Sequence, residues 1–196
     1  MQLNLSVGWF VEAFPRSPTV IVLRHPCAAV QSMSEVSWKR PVVGETHSRL
    51  APDGVDQFIE LLDGCTSEAA VYAARRAVET RALLRDTDPA VTSLVGYEAG
   101  VTDPSGGARN ADGGDRFAAS HRSVGRHCAA IGHGALRSVT RTEGDPVRAW
   151  VDGLSRDQRD EVLAVVAGSG LVGFATDPCP EVDALHEQHR GLTRDP

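Results

Sequence analysis

Residues 19 to 32 read Thr-Val-Ile-Val-Leu-Arg-His-Pro-Cys-Ala-Ala-Val-Gln-Ser, and no other stretch limits the fold as strongly. Thr19 to Leu23 is an unbroken β-branched and aliphatic run, the pattern of a strand covered on both faces in a parallel sheet. Arg24 then falls at the carboxyl end of that strand, where open α/β sheets bind their ligands. Pro26 suits a first helical position, because its ring presets φ and its missing N–H would have no partner there. The chain therefore predicts a strand, a turn holding an arginine, and a helix over 26 to 36. Helix N-termini attract anions, the Arg24 guanidinium offers a planar fork of donors, and Ser32 lies about two turns along the helix. This combination suits a phosphate group. Arg24 paired with a carboxylate is the plainer alternative.

Further elements follow from local patterning. Residues 2 to 14 read as a helix and residues 40 to 54 as a Pro/Gly-bearing loop. Val55 to Leu62 reads as a short helix. Ser67 then caps a long helix to about Arg85, with Val71, Ala74, Val78 and Ala82 along one face. Val91 to Val95 forms a second strand. Ser155 and Gln158 make a capping box ahead of Val162, Leu163, Val165 and Val166. The glycine-rich stretch 105 to 115 reads as a flexible loop. The segment from Phe117 to Ile131 carries few large apolar residues, which fits an insertion or decayed sequence. The polar tail of residues 179 to 196 is expected to be disordered.

Three segments resemble, in order, the sulfotransferases that use 3′-phosphoadenosine 5′-phosphosulfate. Arg-x-Pro-x-x-x-x-x-Ser, here Arg24, Pro26 and Ser32, is similar to the family's 3′-phosphate motif, and Phe10 to Pro15 resembles the approach to the same strand. Tyr97-Glu98 followed by Asp103-Pro104 is similar to the family's Tyr-Glu-Asp-Leu-x-x-Asp-Pro, although Ala99 and Gly100 replace the usual acidic and leucine positions. Trp150 to Gln158 resembles the stretch that opens the family's last helix. The resemblance implies an α/β fold: a three-layer, P-loop-NTPase-like parallel sheet flanked by helices. It implies donor binding by Arg24, Ser32, Tyr97 and Arg141, with Tyr97 facing the adenine and Glu98 orienting or structural. The implied reaction moves a sulfuryl group to a hydroxyl or amine on a small molecule or glycan, with no metal.

The family's 5′-phosphosulfate loop, a glycine- and lysine-bearing turn, is not recognisable. Only 23 residues precede Arg24, and Lys39 is the single lysine of the chain. Residues 1 to 178 are thus expected to be the carboxyl-terminal portion of one such domain, incomplete at the amino-terminal side and lacking an assignable base. A non-catalytic remnant is the rival reading. A further alternative lies in Leu23-Arg24-His25, which resembles the Arg-His of histidine phosphatases, although Pro26 stands where that family has glycine. His25 is expected to cap the helix.

Composition bounds the remaining classes. With 196 residues and 41% apolar content, one globular domain is expected. A net charge of −6 argues against broad nucleic-acid binding, which needs a basic face. No apolar stretch approaches the ~20 residues of a membrane span. Cys27, Cys65, Cys128 and Cys179 form no Cys-x-x-Cys pair, which suits a reduced, cytoplasmic setting. His121, His127, Cys128 and His133 fit no common zinc spacing and are read as solvated or locally bonded.

Overall fold

The computed structural model describes residues 7–15, 17–35, 52–102, 145 and 147–192. Its elements, in chain order, are α1 (Val7–Ala13), β1 (Thr19–Leu23), α2 (Pro26–Glu35), α3 (Pro52–Asp63), α4 (Glu68–Asp86), β2 (Thr92–Gly96), α5 (Tyr97–Thr102), α6 (Ala149–Gly153), α7 (Arg156–Gly168) and α8 (Val182–Leu192). The protein is α/β: β1 and β2 pair in parallel, and helices pack around them. No helix among the described residues is long and apolar enough to cross a membrane.

Helix α4 is the hub, packing against α7, α3, α2, α1 and α8. Its expected stripe holds at Ala74, Val78 and Ala82, but Ala69, Ala70, Tyr72, Ala73, Ala77 and Leu84 are buried as well. A helix surrounded on most sides needs small residues, and alanine lets neighbouring backbones approach closely while keeping high helix propensity. Its start is fixed as the sequence predicts: Ser67 Oγ accepts from the Ala70 N–H at 3.1 Å. Glu161 of α7 reaches the same terminus and accepts from the Thr66 and Ser67 N–H groups at 2.7 and 3.2 Å. These bonds, with the Ser67 hydroxyl first among them, hold the Glu161 carboxyl below its usual range. The Ser155–Gln158 capping box is present on α7, whose Val162, Val165 and Val166 are buried.

Several expectations are corrected. Strand β1 is covered on one face: Ile21 and Leu23 are buried, whereas Val20 and Val22 are 46% and 58% exposed. The described residues supply β1 with one packed layer. The first helix runs from Val7 to Ala13, and residues 1–6 of the expected 2–14 lie outside the described set. Of the loop expected over 40 to 54, residues 40–51 lie outside the described set, and residues 52–54 belong to α3, which Pro52 opens at the position where proline's missing N–H costs nothing. The second strand is shifted by one residue, and Tyr97 starts a helix directly after it. The loop 105–115, the segment 117–131 and the His121, His127, Cys128 and His133 group lie outside the described residues. Cys27, Cys65 and Cys179 form no disulfide.

The tail is the largest correction. From Val182 to Leu192 it is helical, with Leu185 and His189 fully buried. It docks on β2 and on the end of α4. Thr87, the residue closing α4, donates its hydroxyl to Leu83 O at 2.7 Å, so the proton between His189 Nε2 and Thr87 belongs to the imidazole. Nε2 then donates to Thr87 O and Oγ1, each at 3.0 Å. This seals carbonyls that the end of α4 would otherwise leave unpaired.

Two outcomes follow from this docking. Leu185→Ala should lower stability by roughly 2–5 kcal/mol, the cost of an aliphatic truncation in a closed core, and deletion of residues 179–196 should cost at least as much. Urea midpoints measure both, and an unchanged midpoint after the deletion would restore the disordered-tail expectation. Burial also holds His189 below its ordinary value near 6.5. A depressed histidine contributes stability that is present above its unfolded pKa and lost as pH falls through the folded value. Hydrogen exchange of the α8 amides, corrected for intrinsic rates, should therefore show less protection at pH 5 than at pH 7, and His189→Gln should flatten that difference.

Candidate functional site

The pairing of β1 with β2 builds the site. The register sets Leu23 opposite Gly96 at the carboxyl ends of both strands, so the next residues on each chain segment, Arg24 and Tyr97, emerge side by side. The Arg24 guanidinium carbon lies 5.0 Å from the centre of the Tyr97 ring, a cation–π arrangement. Helix α2 begins two residues after Arg24, and α5 begins at Tyr97 itself. Two helix starts and one guanidinium thus share one edge of the sheet.

A long-range hydrogen bond ties these two turns together. The His25 backbone N–H donates to Glu98 Oε1 at 2.9 Å, across 73 positions of sequence. Glu98 is 1% exposed, and its Oε2 has no partner. Burial pushes the Glu98 carboxyl above its ordinary value, against the opposing effects of the His25 N–H and the Arg24 charge. An acid held in this way favours its neutral form, which replaces a buried negative charge with a hydroxyl donor. Glu98 is therefore the structural carboxylate of the site.

The imidazole of His25 turns away from the helix terminus it was expected to cap. It lies flat on the Trp150 indole, with ring centres 4.5 Å apart and planes 9° from parallel, and Phe174 meets it edge-on at 6.4 Å. Ala175 O can only accept, so His25 Nε2 carries the proton in their 2.8 Å bond. Burial lowers the His25 pKa, which leaves Nδ1 bare and without a partner. Gly173, at φ 79°, makes the turn that delivers Phe174 and Ala175, and a Cβ there would stand 2.8 Å from Glu181 O. Three stretches distant in sequence, at 24–25, 97–98 and 150, therefore converge on one place.

Arg24 Nε is buried with no hydrogen-bond partner, an orphaned donor at the mouth of a helix N-terminus. Ser32 is half-buried on α2. It sits about 9 Å along the helix axis from Pro26, on the flank one turn beyond Ala29. A ligand touching both Arg24 and Ser32 would lie along that flank rather than on the helix end alone. Arg141 lies outside the described residues. Among the described residues no three histidine, cysteine or acidic side chains converge as a metal site would require. Cys27, one residue past Pro26, is an inert thiol, pushed up to about 12 by burial.

No protein-family model, no curated protein and no solved structure matches this chain.

The Glu98 bond is open to a direct test. Glu98→Gln keeps the acceptor for His25 N–H without an ionisable proton, whereas Glu98→Ala orphans that N–H at a cost of about 1–3 kcal/mol. A carboxyl raised above its ordinary 4.5 contributes stability that is intact below that value and lost as pH rises through the folded value. Relative to wild type, Glu98→Gln should therefore gain stability from pH 4 to pH 8 in urea titrations. A pH-independent difference would mean that folding does not move the Glu98 carboxyl, and a difference of the opposite sign would mean that Arg24 holds it ionised.

Proposed function

We propose that the carboxyl edge of the β1–β2 pair binds the 3′-phosphate of an adenosine nucleotide, in a sulfotransferase-type three-layer sheet. The observation that supports this reading is the orphaned Arg24 Nε beside Tyr97 at the start of α2. Buried donors are paired in nearly all folded proteins, and a phosphate oxygen is the acceptor that a guanidinium at a helix N-terminus suits best. Tyr97 supplies an aromatic surface within reach of the same guanidinium, as a purine would require. Val20 and Val22, turned from the core, are the residues that the second helical layer of such a sheet would cover.

In this proposal the donor is 3′-phosphoadenosine 5′-phosphosulfate, which supplies an activated sulfuryl group for in-line transfer to a hydroxyl or amine of a small molecule or glycan. Arg24, Tyr97 and Ser32 hold the nucleotide, and Glu98 fixes the turn through His25 N–H. A nucleotide-binding chain without transfer activity is the second reading. It is favoured by the state of the titratable groups nearest Arg24: His25 and Glu98 are both buried and hydrogen-bonded, so neither is disposed to take a proton from an acceptor. The same burial weighs against a histidine-phosphatase role, since a nucleophilic His25 would need a ring nitrogen open to substrate.

Calorimetric titration tests the site. Adenosine 3′,5′-diphosphate should bind more tightly than adenosine 5′-monophosphate, and Arg24→Ala should weaken the former by about tenfold or more, the worth of one charge-assisted contact. Ser32→Ala should weaken it less. Equal affinity for the two nucleotides, or indifference to Arg24, would overturn the reading. Turnover of the labelled donor on a panel of phenols, alcohols and sugars separates the enzyme from the silent binder.

A further inference from the structure

Two residues, Arg24 and His25, link the end of β1 at Leu23 to the start of α2 at Pro26. They take opposite courses: the Arg24 guanidinium lies over the Tyr97 ring, whereas the His25 side chain is fully buried. Arg24 Nε has no hydrogen-bond partner, so beyond its contact with Tyr97 the aim of the guanidinium depends on the backbone that carries it. That backbone is held at its neighbour. Pro26 confines His25 to extended values, because a helical His25 would clash with the proline ring. The peptide N–H between Arg24 and His25 is the one that donates to Glu98 Oε1 at 2.9 Å, and the His25 carbonyl accepts the first bond of α2 from the Ala29 N–H at 2.9 Å.

The imidazole adds two anchors from distant parts of the chain. Its face lies on Trp150 of α6, with ring centres 4.5 Å apart, and its Nε2–H meets Ala175 O at 2.8 Å. Stacking fixes the plane of the ring, and a directional hydrogen bond fixes its position within that plane. Phe174 closes a further edge at 6.4 Å. Ala175 is itself delivered by the turn at Gly173, whose carbonyl accepts from the Glu181 N–H at 2.8 Å. A residue that only filled the core would be served by an apolar side chain of similar size, with no polar atoms to desolvate. His25 instead buries an Nδ1 that has no partner. What the imidazole adds over a phenyl ring is the directional bond to Ala175 O.

We infer that His25 is a positioning residue of the anion site: its imidazole, stacked on Trp150 and bonded to Ala175 O, holds the β1–α2 turn so that Arg24 and the first amides of α2 address one phosphate monoester. This inference rests on the proposed nucleotide site and adds to it a residue that touches no ligand and acts through Arg24. It also makes α6 and the Gly173 turn part of the support of the site, since both reach the Arg24 backbone through the same ring.

The test is a double-mutant cycle, read by calorimetric titration of adenosine 3′,5′-diphosphate into wild type, Arg24→Ala, His25→Ala and the double variant, with circular-dichroism melts to show that each is folded at the titration temperature. His25→Ala should weaken binding by about tenfold. The double variant should bind as Arg24→Ala does, to within about twofold, because a residue that acts through Arg24 then has nothing left to position. His25→Phe keeps a ring on Trp150 without the bond to Ala175 O. It should recover part of the affinity, and it takes the place of His25→Ala in the cycle if that variant does not fold. A second readout needs no ligand: the Arg24 Nε–H, shielded from solvent in the wild type, should exchange its proton several-fold faster in His25→Phe, as heteronuclear NMR measures. If Arg24→Ala weakens binding while the folded His25 variants bind as wild type, or if the losses in the cycle are additive, or if the exchange is unchanged, His25 is a core residue only and the nucleotide site stands. If Arg24→Ala binds as wild type, or the nucleotide does not bind at all, both readings fall.

Discussion

The parallel register of β1 and β2 is the constraint on which the site depends. With Leu23 opposite Gly96, the two strands end level, and whatever follows each of them meets at one edge. Side chains alternate along a strand, so a slip of one residue would exchange the buried Ile21 and Leu23 for Val20 and Val22. It would also carry Arg24 away from Tyr97. Burial of Ile21, Leu23 and Leu94 in the common core therefore fixes the relation between a guanidinium and an aromatic ring that lie 73 positions apart.

Two helices starting immediately at strand ends would leave a cluster of unpaired amides at this edge, and Glu98 resolves part of that problem. By accepting from His25 N–H it satisfies one such donor and stops the α2 turn from swinging free of α5. The cost is a buried carboxyl, whose burial biases it towards the neutral form. His25 meets a similar demand differently: burial keeps its ring uncharged, and its polar edge is spent on Ala175 O while its face is spent on Trp150. Both ionisable neighbours of Arg24 are thus biased towards the uncharged state. Arg24 supplies the guanidinium charge among them.

The legibility of the sequence followed the range of the interactions. Strand β1, the Pro26 helix start, the Ser67 cap and the Ser155–Gln158 box are set by neighbours within a few residues, and each was readable. The coverage of β1 was not, because a continuous aliphatic run looks the same whether one face or both are packed. Helix α8 was missed because its buried positions Leu185 and His189 are spaced i, i+4 but one of them is histidine, which averages as polar. Val182, Leu185, His189 and Leu192 would have shown the stripe had the imidazole been counted as a core residue. Arg24 and Ser32 stand out from the strand–turn–helix pattern and Tyr97 from the resemblance, whereas the pairing of Arg24 with Tyr97 emerges only from the register. The Glu98–His25 bond was beyond sequence, since nothing local to Tyr97-Glu98 indicates what packs against it.

The electrostatics of this edge depend on where carboxylates are absent as much as on where arginines stand. A net charge of −6 spreads acidic groups over the chain, yet the one carboxyl nearest Arg24 is biased towards its neutral form. In a partly desolvated cleft an unopposed guanidinium exerts a far stronger field than the same group in water, where screening reduces it within about 10 Å. A protein that is acidic as a whole can therefore keep one place locally cationic. It does so by withholding negative charge from the residues that line that place, which the Arg24 surroundings achieve through burial rather than through added lysines.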